Sequence, residues 1–247
     1  MAKLGEIVLV TGAARRIGRA IALDLAAAGW RVGVHYRGSA ADAQRLVSDI
    51  REHGGAAEAL AGDLADAGDL ETLVSRCADA LGPPTCLVNN ASEFEPDSLD
   101  TLTGDGWDKH LDVNLKAPVF LARALALGLP AGASGNVINI IDQRVWRPTP
   151  EFFSYTISKA GLWTATRTLA QALAPRVRVN AISPGPVLQS VHQTEAEFGE
   201  ERRSTLLERG PTPEDIASAV RFILDAPAIT GQMITLDGGQ HLAWRRR

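Results

Sequence analysis

Short apolar runs alternate with helix-patterned segments along this chain, and that alternation leaves the fold little freedom. Strands are expected at about 7–10, 31–36, 57–61, 86–90, 136–141, 177–182 and 233–236. Between them, apolar residues recur at three- and four-residue spacing: Ala20 to Ala26, then about 41–53, 66–81, 107–128, 155–174 and 213–225. Strands separated by a helix cannot close as hairpins; they need crossovers, and crossovers build parallel sheet. Seven such strands predict an α/β fold, a doubly wound seven-stranded parallel sheet with helices on both faces. No repeat, low-complexity tract or linker interrupts residues 1–247, which therefore read as one domain. The one long irregular stretch, about 184–200 after Pro184-Gly185-Pro186, reads as a lid over a site.

In such sheets ligands sit beyond the carboxyl ends of the strands. The conspicuous polar residues fall at those ends: Thr11-Gly12, His35-Tyr36-Arg37, Asp63, Asn89-Asn90, Asp142 and Ser183-Pro184. Bulk properties narrow the partner class. A formal net charge of −4 gives no reason to expect nucleic acid or an anionic membrane. No run approaches membrane-spanning length, and Met1 to Glu6 leads into the first strand without a leader pattern, so a cytoplasmic protein is expected. Cys77 and Cys86 lack metal-ligand spacing and read as core residues; no metal is expected. His53, His110, His192 and His241 are scattered and read as surface residues.

The first strand ends in Thr11-Gly12-Ala13-Ala14-Arg15-Arg16-Ile17-Gly18. A turn bracketed by Gly12 and Gly18 before a helix suits a pyrophosphate held at the helix N-terminus, with Arg15, Arg16 and Ile17 around it. A reader of NAD places an acidic residue at the end of the second strand, whereas a reader of NADP uses arginine. Here that end is His35-Tyr36-Arg37-Gly38-Ser39, free of carboxylates until Asp42. Arg37 and Ser39, with His35, are candidates for a 2′-phosphate, which favours NADP(H).

Tyr155 and Lys159, four apart at the head of a helical pattern, project from one face a turn apart. An ammonium beside a phenol favours phenolate and lowers its pKa from about 10, which suits a general acid.

Taken together, these motifs resemble the short-chain dehydrogenase/reductase family over nearly the whole chain. The resemblance implies a Rossmann fold and assigns Asp63 with Leu64 to the adenine side. It likewise assigns Asn90-Ala91 to the strand-four motif, Asn114 to the proton relay and Pro184-Gly185 to the nicotinamide side. Two positions depart from the common pattern: the middle glycine of the turn is Arg16, and the serine thirteen residues before the tyrosine is Asp142. Both departures resemble pteridine reductases and the bacterial dihydromonapterin reductases, as does Ser92-Glu93-Phe94. That resemblance implies Arg16, Ser92, Phe94, Asp142 and Tyr155 as substrate-side residues, Lys159 as holding the nicotinamide ribose, and Asn114 as binding a relay water. It also implies a homotetramer or dimer, and leaves room for the Arg245–Arg247 tail to reach a neighbour's site.

The chemistry of Asp142 agrees, because an ionised carboxylate accepts hydrogen bonds and cannot donate one to a ketone oxygen. A flat nitrogen heterocycle offers donors and a C=N bond, and its face would stack on Phe94. The expected activity is NADPH-dependent reduction of a dihydropterin, with weaker action on dihydrofolate. The alternatives are a carbonyl reductase of the same family, acting on 3-oxoacyl or other ketones, and a non-catalytic NADP sensor.

Overall fold

The computed structural model describes residues 6–243. The first four strands are β1 (Ile7–Val10), β2 (Arg31–Tyr36), β3 (Ala56–Ala61) and β4 (Cys86–Asn89). β5 (Gly135–Ile140), β6 (Val177–Pro184) and β7 (Met233–Leu236) follow. They form one sheet in the order β3-β2-β1-β4-β5-β6-β7, and every neighbouring pair is parallel. The strand order reverses between β1 and β4, which opens a crevice at their carboxyl ends.

The helices are α1 (Arg16–Ala27), α2 (Ala40–Glu52), α3 (Ala67–Leu81), α4 (Gly104–Leu111), α5 (Ala117–Gly128), α6 (Phe153–Leu173), α7 (Glu195–Arg203) and α8 (Pro213–Asp225). Because helices cover both faces, β1 and β4 are buried on both and read as unbroken apolar runs rather than alternating ones. One core joins the sheet to α1, α2 and α8 through Ile21, Leu25, Leu46, Ile50, Val220 and Ile223. The other joins it to α3 and α5 through Leu70, Leu73, Leu121 and Leu125. Each fully buried aliphatic side chain contributes about 1.5–3 kcal/mol, enough in sum to fix both helical layers. Cys77 and Cys86 are buried free thiols in these cores, as expected. No helix among the described residues is long and apolar enough to cross a membrane. The Arg245–Arg247 tail and Met1 to Gly5 lie outside the described residues.

Two expectations need correction. The single helix over 107–128 is α4 and α5 joined by a wider π-type turn at Asp112–Lys116, where Ala117 N–H bonds the Asp112 carbonyl. Apolar spacing over the two short flanking segments does not reveal such a turn, since one inserted residue only shifts the later stripe by a single position. The irregular stretch at 184–200 is also shorter than expected, because α7 begins at Glu195. That helix buries no residue, so it has no apolar stripe to read. Its start was written instead in Thr194 and Glu197, which form a reciprocal capping box.

Candidate active site

A cleft of about 810 Å³ opens at the carboxyl ends of the strands, centred on the reversal between β1 and β4. Every sequence-predicted site residue lines it except Asn114, which lies behind its wall. The loop after β6 and the start of α7 close one side through Val187, Leu188, His192 and Phe198.

At the glycine turn, close packing dictates the residues. A side chain at Gly12, where φ is +61°, would meet Ala91 Cα at 2.9 Å, and one at Gly18 would meet the Gly12 carbonyl at 2.4 Å. Thr11 Oγ1 accepts from the Asn90 and Ala91 amides at 3.0 Å, and Asn90 Nδ2 donates to the Thr11 and Gly12 carbonyls at 2.9 and 3.1 Å. Asn90 therefore clamps the β4 end to the turn. The N-cap of α1, Arg15, makes no side-chain cap and the first turn carries no acid. The amides at that N-terminus are thus without a side-chain cap beside the cleft, as an anion site requires. Arg15, Arg37 and Ser39 add cations and a hydroxyl that does not cap α2. This donor set fits a dinucleotide carrying an extra phosphate.

His35 does not belong to that set. It is 2% exposed, its Nδ1 accepts from the Gly12 amide at 3.1 Å, and its Nε2 faces the Gly62 carbonyl at 3.1 Å. The neutral tautomer with hydrogen on Nε2 satisfies both contacts. Burial pushes its pKa down to about 4, so it brings no charge to a phosphate. It braces the glycine turn against the end of β3.

Arg16 also differs from expectation. Its φ is +54°, the left-handed region that glycine enters freely and other residues enter at a cost of about 1–2 kcal/mol. The backbone thus keeps the glycine conformation while the side chain does something new. The guanidinium donates to the Leu188 and Gln189 carbonyls at 3.1 and 3.0 Å, tying the loop after β6 across the cleft mouth.

At the other end, Tyr155 Oη donates to Asp142 Oδ2 at 2.8 Å, while Asp142 Oδ1 accepts from the Arg144 amide at 2.8 Å. Lys159 Nζ donates to the Ile140 carbonyl at 3.0 Å and stands 5.7 Å from the centre of the Tyr155 ring. The expected lowering of the phenol pKa is overturned here. Burial first, then the Asp142 carboxylate, hold the Tyr155 pKa well above its ordinary value. Burial likewise raises Asp142, and lowers Lys159 to about 8 against the opposing pull of Asp142. The Asn114 side chain is fully used. Oδ1 accepts from the Glu93 amide at 2.8 Å and Ser92 Oγ at 3.2 Å, and Nδ2 donates to the Glu93 carbonyl and Ser158 Oγ at 3.0 Å. It fastens the Ser92-Glu93 loop and has no side-chain donor left for a water.

Phe152, Arg144 and His192 entered the site without a signal in the sequence, beside the expected Phe94. Phe94 stacks on Phe152 with ring centres 4.2 Å apart and planes 1° apart, and meets Tyr155 edge-on at 4.7 Å. Arg144 lies 5.0 Å over the Phe152 ring, and His192 Nε2 donates to the Phe94 carbonyl at 3.0 Å, joining this wall. The expectation of surface histidines fails at His110, which is 1% exposed. Its Nε2 accepts from the Glu95 amide at 3.1 Å, its Nδ1 donates to Ser154 Oγ at 2.6 Å, and that hydroxyl passes a bond to Asp97. The chain pins the residue just before Tyr155. No spacing foretold it, because its partners come from separate segments.

The family model described as "Enoyl-(Acyl carrier protein) reductase" matches residues 12–241. A 3-oxoacyl-(acyl-carrier-protein) reductase of Synechocystis sp. is 34% identical over 239 residues, covering 95% of this chain and 96% of the relative. Among solved structures, FolM Alternative dihydrofolate reductase 1 from Brucella suis, in complex with NADP, superposes with a TM-score of 0.95. It shares 49% identity, with 97% of this chain and 96% of that one covered. A metagenomic blue fluorescent protein in complex with NADPH superposes with a TM-score of 0.90 at 32% identity, covering 96% and 98% of the two chains. With its parallel sheet, glycine turn and Tyr155–Lys159 helix in place, the chain belongs to the short-chain dehydrogenase/reductase family.

Proposed function

We propose that this chain is an NADP(H)-dependent reductase whose substrate is a dihydropterin, with dihydrofolate as a weaker one. The observation that carries the reading is the hydrogen bond from Tyr155 Oη to Asp142 Oδ2 beside the Phe94 ring. A ketone reductase needs donors aimed at one carbonyl oxygen; here the phenol hydrogen is directed to a carboxylate that itself accepts only. That pair suits a ring that presents N–H donors and takes a proton on nitrogen, and Phe94 offers a π-face to it. The similarity to FolM structures in complex with NADP supports the same substrate class and cofactor.

The reduced nicotinamide, when bound, supplies the hydride to C6 of the C6–N5 imine. Arg15, Arg37 and Ser39 hold the phosphates, with the α1 N-terminus, and Lys159 holds the nicotinamide ribose. Phe94 fixes the plane of the pterin. Asp142 and Tyr155 together deliver one proton to N5. Burial makes the phenolate costly, so Tyr155 holds its proton until N5 takes it. The upward push of burial on Asp142 lets its carboxylate take up and pass on the replacement proton.

The second reading is a 3-oxoacyl or other ketone reductase, favoured by relatives of that name in Synechocystis and Staphylococcus aureus at 34% and 32% identity. Anaerobic NADPH oxidation with a dihydropterin, dihydrofolate and a ketone panel separates the two. Turnover of the dihydropterin well above that of the ketones is expected; oxidation with ketones alone would overturn the first reading.

A further inference from the structure

We propose that Glu93 is a specificity-determining residue for the dinucleotide, because its carboxylate and the cofactor's 2′-phosphate are alternative partners of Arg37. This rests on Arg37 being the 2′-phosphate residue. Both side chains line the cleft, Arg37 at the end of β2 and Glu93 in the loop after β4. The Arg37 guanidinium is ion-paired to Glu93 Oε1, and Lys109 Nζ stands 3.3 Å from Glu93 Oε2. The two partners differ in freedom. Arg37 has a side chain 53% exposed, whereas Glu93 is 11% exposed, with its main-chain amide and carbonyl both held by Asn114. The carboxylate is thus the fixed member and the guanidinium the movable one.

Lys109 makes the exchange inexpensive. An ion pair that loses one member normally leaves a costly unpaired charge. When Arg37 turns to a phosphate, Glu93 retains Lys109, so no buried charge is stranded. NAD(H), without the phosphate, has no claim on Arg37 and leaves the pair intact. Glu93 therefore reduces the preference for the phosphorylated dinucleotide below what Arg37 alone would confer.

The test is dissociation constants of NADPH and NADH, measured by fluorescence or calorimetry on the full chain, for wild type, Glu93→Gln, Arg37→Ala and the double variant. Glutamine keeps the shape and the main-chain contacts, and its NADH affinity reports an intact fold. NADPH binding should tighten about two- to fivefold in Glu93→Gln, the size of a partly exposed ion pair, with NADH unchanged. In the Arg37→Ala background the same substitution should gain nothing. Unchanged or weaker NADPH binding in Glu93→Gln overturns the proposal, as does an equal gain without Arg37, which would mean direct repulsion rather than competition. If Arg37→Ala binds NADPH as wild type does, the reading of Arg37 itself fails and this proposal falls with it.

Discussion

His35 and the Asp142–Tyr155–Lys159 group are buried titratable sites on one cleft, yet the same push toward the neutral form ends in different roles. The two nitrogens of His35 are matched by a main-chain amide and a main-chain carbonyl, both suited to the neutral ring. Its pKa near 4 leaves one protonation state at neutral pH, and the residue acts as a brace. In the other group burial drives each member toward its neutral form while the neighbouring charges oppose that for Asp142 and Lys159. Burial with a complete neutral set of partners makes a structural element; burial with charges left to share makes a proton device.

The sharpest way to break this contrast is Tyr155→Phe. Turnover should fall by about 10²–10⁴ while NADPH affinity is retained, because only the positioned proton is lost. An unchanged rate would take the phenol out of the chemistry. Next comes Asp142→Asn, which keeps the shape and cannot exchange a proton. Dihydropterin turnover is expected to drop about 10²-fold, measured under saturating NADPH. A rise in KM with kcat unchanged would make Asp142 a binding residue instead.

On the structural side, His35→Gln should alter stability and its dependence on acid. The folded pKa of about 4 lies below the unfolded value of about 6.5, so on acidification the unfolded chain takes up the proton first. Stability from this residue is present above pH about 6.5 and is lost as pH falls through about 4, amounting to about 3 kcal/mol. Urea unfolding at neutral pH and near pH 4 should show wild type losing more than the glutamine variant by about that amount. Equal losses would clear His35 as the cause. The smallest effect belongs to Lys159, whose pKa of about 8 predicts a declining activity limb above that pH as its charge is lost. Lys159→Arg, slower overall, should lose the limb; a variant with the same decline would place the titration elsewhere.

Much of the fold was legible because strand and helix periods are local. Each strand fell within about two residues of its expected bounds, and the glycine turn, Tyr155 and Lys159 lie where the spacing put them. The difficulties share one cause. α7 has no apolar face, the π-type turn at Asp112–Lys116 shifts one by a single position, and His110, Phe152 and Glu93 acquire roles only from partners distant in the chain. The capping box at Thr194 was the one readable signal overlooked.

By itself the sequence determined the parallel sheet, the crevice at its strand ends and the residue types gathered there, since periodicity and turn chemistry act over a few residues. Tertiary structure alone decided protonation and pairing. Lys159 turned to a carbonyl instead of the phenol, Asp142 took the phenol hydrogen, His35 became neutral, and Arg37 found Glu93. Charge and hydrogen-bond states depend on solvent exclusion and on groups meeting across the fold, and neither quantity is carried by neighbours along the chain.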